Sequence, residues 1–90
     1  MMTKRVIVWT SAFKRDFKRE KKTDGQLESI LYTVLQALAE DFPLAAKYRD
    51  HALTGNWKDH RDCHVKPDLV LIYIKPDAET LLLVRLGSHS

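Results

Sequence analysis

Between Gln26 and Glu40, the residues Leu27, Ile30, Leu31, Val34, Leu35 and Leu38 recur at spacings of three and four. That is the period at which side chains share one face of an α-helix. A stripe this wide has to be covered, and what covers it bounds the folds open to the chain. Pro43 lacks an amide hydrogen and restricts Phe42 before it, so the helix ends near Glu40 or Asp41. Upstream, Thr23-Asp24-Gly25 breaks the pattern with a glycine suited to a tight turn. Before the turn, Phe13 and Phe17 fall four residues apart on a segment that Thr10 or Ser11 can cap, which predicts a helix over 11–22 and a helical hairpin.

The partner layer lies at the two ends of the chain. Val6-Ile7-Val8-Trp9 is a β-branched and aromatic run, short enough for a buried strand. No clean period runs from Pro43 to Asn56, and a surface loop is expected there. From Trp57 to Val65 the chain alternates: Trp57, Cys63 and Val65 are expected on the core side, and Lys58, His60, Asp62 and His64 on a polar side. Lys66-Pro67-Asp68 then turns, Leu69 to Ile74 is a buried strand, Lys75-Pro76-Asp77 turns again, and Leu81 to Arg85 is a last strand. The order β-α-α-β-β-β gives a two-layer α+β fold, with a mainly antiparallel sheet and a helical hairpin on one face.

Ninety residues make one domain, 1–90, with room for one modest core. The longest apolar run is six residues, well short of the roughly 18 to 20 that span a bilayer, and no targeting segment or membrane association is expected. Cys63 is the only cysteine, which excludes an internal disulfide and any zinc site built from several thiolates, and suits a reducing cytoplasm.

Charge is unevenly placed. Residues 1–22 hold eight Lys or Arg against Asp16 and Glu20, whereas the rest of the chain is net acidic. A basic segment of this kind suits a polyanion or an acidic protein. Nucleotide-dependent chemistry has no glycine-rich loop to support it, because Gly25, Gly55 and Gly87 are far apart. His60-x-x-x-His64 has a zinc-finger spacing, but on a strand the two rings would stand about 13 Å apart, so no metal is expected. Cys63 faces the core and is expected to be a packing residue.

General acid-base chemistry remains. Histidine is the side chain best able to give and take protons near neutral pH. An RNA 2′-hydroxyl attacking its neighbouring phosphate needs a proton acceptor, a proton donor and a cation for the growing phosphate charge. The candidates are His51, His64, Asp68, Arg85 and His89.

Three segments carry a resemblance: Lys47-Tyr48-Arg49-Asp50-His51-Ala52-Leu53-Thr54-Gly55-Asn56-Trp57-Lys58, then Arg61-Asp62-Cys63-His64-Val65-Lys66-Pro67-Asp68-Leu69, and Val84-Arg85-Leu86-Gly87-Ser88-His89. Here the chain resembles the YafQ-type toxins of the RelE/ParE superfamily in bacterial type II toxin–antitoxin pairs. The resemblance implies a RelE-like fold and a ribosome-dependent, metal-independent endoribonuclease that cuts messenger RNA during translation. It puts His51, His64, Asp68 and His89 in acid-base positions and Arg85 on the phosphate. It leaves His60 as a strand-surface residue and gives Lys58, Arg61 and the basic first helix, including Lys14 and Lys18, to RNA binding. It further implies no cofactor, a cognate antitoxin, messenger RNA in the ribosomal A site, operator DNA reached only through the antitoxin complex, and a bacterial cytoplasmic location. Relatives commonly run on past the last histidine with an aromatic, whereas this chain stops at Ser90, so a base-stacking contact from that end is not expected. The alternative from another class is a non-catalytic, ParE-like toxin that binds and poisons DNA gyrase; the histidine and aspartate set argues for the ribonuclease.

Overall fold

The computed structural model describes residues 4–88. Strand β1 (Val6–Trp9) leads into helix α1 (Ser11–Lys21) and, after a turn, helix α2 (Leu27–Ala39). Four strands follow: β2 (His51–Ala52), β3 (Arg61–Lys66), β4 (Leu69–Ile74) and β5 (Thr80–Ser88). They form one sheet of order β1-β5-β4-β3-β2, in which β1 runs parallel to β5 and every other pairing is antiparallel. Both helices end within a residue or two of their sequence-predicted limits, because the signals there are local. Thr10 Oγ1 accepts the Phe13 amide at 3.1 Å and donates to the Leu83 carbonyl at 2.8 Å, so one side chain starts α1 and ties it to β5.

The hairpin covers one face of the sheet. Phe13, Leu27, Leu31, Val34, Leu35 and Leu38 meet Cys63, Val65, Leu69, Leu71, Tyr73, Leu81, Leu83 and Leu86, all buried. Trp9 packs edge-on to Phe13 and Phe17, with ring centres 5.0 and 5.3 Å apart. Among the described residues, no helix is long and apolar enough to cross a membrane.

The stretch after α2 departs from the sequence reading. The expected loop contains two short 3₁₀ turns (Ala46–Tyr48 and Gly55–Trp57) flanking the two-residue strand β2. Strand β3 begins at Arg61 rather than Trp57, because the backbone turns back on itself: the His60 amide donates to the Trp57 carbonyl, the Leu53 amide to the His60 carbonyl, and Asp59 takes a positive φ of 72°. Trp57 is therefore not a core residue but is 39% exposed, and His60 is not on a strand surface but lies in the loop, edge-on to Trp57. His64 is only 8% exposed, so the expected polar face of this strand is largely covered at that position. The last strand runs three residues past Arg85, to Ser88.

Candidate active site on the open sheet face

Two register shifts decide which side chains leave the core. In β5, Leu81 and Leu83 are buried, and strict alternation would bury position 85 as well. Instead the ladder slips between Ile72 and Tyr73: Tyr73 pairs with Leu83 but Ile72 with Arg85, which leaves Val84 as an extra residue. Leu86 then takes the core position, and Arg85 emerges on the face away from the helices. A second shift, at Val65, lies between His64 and Lys66 in β3. The resulting cross-strand row on the open face is His51, Asp62, Ile72 and Arg85, with His64, Val70 and Gly87 in the row beside it. At about 4.8 Å per strand, His51 and Arg85 stand some 14 Å apart at the backbone.

Arg85 is held from behind. Its Nε donates to Asp16 Oδ2 at 2.7 Å and its Nη2 to Oδ1 at 3.3 Å. Asp16 is a buried carboxylate on α1 that also accepts the Leu86 amide at 3.0 Å and Arg19 Nη1 at 3.1 Å. Arg19 Nη2 donates in turn to the Leu86 carbonyl at 3.1 Å. These side chains do for β5 what a neighbouring strand would, since β1 stops pairing at Leu83 and α1 takes over its edge. Burial pushes the Asp16 carboxyl upward, but the Arg85 hydrogen bond, the Leu86 amide, the Arg85 charge and the Arg19 hydrogen bond outweigh it and hold the group below its ordinary value. Arg19 Nε also donates to Glu20 at 3.0 Å, so the two guanidinium groups are shared between two carboxylates, and both side chains stay about half exposed. Arg19 and Arg85 line an open cleft of about 360 Å³ with Trp57, Asp62, Val70 and Ile72.

The histidines share a local device. His51 Nδ1 lies 2.7 Å from the Arg49 carbonyl, and His64 Nδ1 lies 3.3 Å from the Pro67 carbonyl. A carbonyl oxygen only accepts, so Nδ1 of each ring carries the hydrogen and, in the neutral ring, Nε2 keeps the lone pair that can take a proton. Asp62 Oδ1 sits 3.1 Å from His51 Nδ1 without an aligned hydrogen bond, although this oxygen is buried. It joins His51 to the row that ends at Arg85. His64 occupies an adjoining recess with Lys47, Arg49 and Pro67 rather than the Arg85 cleft itself.

Of the remaining sequence candidates, Asp68 is exposed in the turn before β4, next to the Leu69–Ser88 pair. His89 lies outside the described residues. Lys58 is exposed in the loop before β3, and Lys14 and Lys18 are exposed on α1. Arg61 is bound to Asp50 at 3.3 and 3.4 Å, and Asp50 also accepts the Tyr73 hydroxyl at 2.6 Å. Asp16, Arg19, Asp62 and Trp57 were not singled out from the sequence. Asp16 carried a readable signal, for it falls three residues after Phe13 on the stripe that also bears Phe17, where a carboxylate needs partners. Among the described residues, no group of three or more His, Cys, Asp or Glu side chains is placed to hold a metal ion.

Comparison with known proteins shows the family. The family described as "Bacterial toxin of type II toxin-antitoxin system, YafQ" matches residues 5–90. The mRNA interferase toxin YafQ of Escherichia coli K12 is 35% identical over 89 residues, covering 99% of this chain and 96% of that protein. A metal-bound toxin from Helicobacter pylori superposes with a TM-score of 0.83 at 48% identity, covering 99% of this chain and 96% of the other. YafQ in the E. coli DinJ–YafQ toxin–antitoxin complex superposes with a TM-score of 0.79 at 34% identity, covering 96% and 93%.

Proposed function

The chain belongs to the YafQ family of bacterial type II toxins and is an mRNA interferase, and on that premise we propose that it cuts messenger RNA on translating ribosomes by attack of a ribose 2′-hydroxyl. The observation that carries this reading is Arg85: a bulge turns it onto the open sheet face, and a buried carboxylate holds it from behind with its outer edge in the cleft. A scissile phosphate seated there would meet a cation whose position is fixed before the substrate arrives, so little reorganisation is needed as its charge grows.

The step balances without a co-reactant. The 2′-oxygen loses its proton to a base, bonds to phosphorus and expels the 5′-oxygen, which takes a proton from an acid. The products are a 2′,3′-cyclic phosphate and a 5′-hydroxyl. His51 presents Nε2 for such transfers, and His64, Asp68 and His89 complete the acid-base set. Lys58, Arg61, Lys14 and Lys18 supply backbone contacts. The chemistry is metal-independent in this reading.

The E. coli relative forms a complex with its antitoxin DinJ, and this chain is taken to have a cognate antitoxin of its own, with operator DNA met only through that complex. Ribosomes place its action in the bacterial cytoplasm. The test is a message carrying a single 2′-deoxynucleotide 5′ to a mapped cut. Loss of that cut alone, with cyclic phosphate ends at the others, is the expected result; cutting at the deoxy position would refute 2′-hydroxyl attack.

A further inference from the structure

On the messenger RNA reading of this cleft, from which the inference starts, we propose that Trp57 is the platform on which a nucleobase beside the scissile phosphate stacks. The cleft has two chemically distinct halves. Arg19 and Arg85 place two guanidinium groups along one side, whereas Val70 and Ile72 make the sheet floor apolar, and the indole of Trp57 joins that floor from the loop before β3. An apolar surface beside paired guanidinium groups suits one class of ligand in particular, a nucleotide, whose flat base wants stacking and whose phosphate wants charge. The volume, about 360 Å³, is within the range of small-ligand sites.

Trp57 is also built to stay where it is. The 3₁₀ turn Gly55–Trp57 starts at a glycine with a φ of 67°, which a side chain there would strain. The ring packs nearly perpendicular to His60, with centres 5.3 Å apart, and Trp57 is 39% exposed. A large aromatic packed perpendicular to one neighbour and more than a third exposed beside two guanidinium groups has stacking surface prepared before ligand arrives.

The probe is a short single-stranded 2′-deoxy oligonucleotide, which the 2′-hydroxyl route cannot cut, alongside the same strand with every base removed. Binding is followed by tryptophan fluorescence and by anisotropy of a labelled strand. Wild-type protein should bind the full strand with fluorescence quenching. Trp57→Ala should weaken binding about 5- to 150-fold, the effect of losing one stacked base. Trp57→Phe should keep most of the affinity and lose the quench, because Trp9 is packed on Phe13 and Phe17. The abasic strand should bind wild type and Trp57→Ala equally. Equal affinity of wild type and Trp57→Ala for the full strand, or equal quenching by both strands, would overturn the proposal. Message cutting by the same wild-type preparation separates the two readings: intact cutting with no Trp57 effect refutes stacking alone, whereas absent cutting refutes the nuclease.

Discussion

Asp16 joins stability and activity in one residue. Its carboxyl is held below the ordinary aspartate value in the folded chain, so the stability it contributes is fully present above the unfolded value of about 3.9 and is lost as pH falls through the lower folded value. Asp16→Asn keeps an oxygen that can accept the Leu86 amide but removes the charge facing two guanidinium groups. It should flatten the acid limb of a plot of melting temperature against pH below about 4. It should also lower kcat about 100-fold, as expected when a positioned group is free to drift, with a smaller change in KM. An unchanged acid limb with unchanged kcat would show that Arg85 needs no anchor. Arg85, His51 and His64 stand out as candidates in the sequence because they lie in recognisable segments. Asp16 looked like one of two acids among eight bases, and Trp57 looked like core, since neither burial nor a turn of the backbone is written in a single residue type.

At the level of elements, helices and strand order were legible and strand irregularities were not. The stripe from Leu27 to Leu38 and the run Leu69 to Ile74 are period signals that survive folding unchanged. A bulge adds one residue and reverses the parity of all that follow, so Leu81, Leu83 and Leu86 cannot be assigned to one face by counting. Strand β2 was missed because two residues are too few to show alternation. In β3 the reading of Cys63 as a packing residue agrees with its complete burial. Burial, helped by the charges of Asp50 and Asp62, pushes its thiol up to about 12. An alkylating reagent at pH 8 should therefore leave the native protein unlabelled for as long as it stays folded, and label it fully in denaturant. Prompt labelling of native protein would place the thiol at the surface and contradict the packing of β3.

At the level of the molecule, the basic first segment and the open sheet face meet at α1. Its outer surface carries exposed Lys14 and Lys18, while its inner side sends Asp16 and Arg19 to β5. One helix thus offers charge to a polyanion and fixes the cation that the chemistry needs. The sequence could reveal the excess of charge but not this division of labour, which depends on where β1 stops and leaves the edge of β5 to be filled. The site is likewise spread over four strands and a helix, and only the folded chain shows that His51 joins the row of Arg85 while His64 lies in the next recess. The most direct test of the nuclease reading is end-mapping of a message on translating ribosomes with wild-type protein and Arg85→Ala, a chelator being present throughout. Codon-linked cuts by wild type, reduced about 100- to 1,000-fold in the variant, are the predicted result. Equal cutting by both proteins, or an intact message with poisoned DNA gyrase, would contradict it.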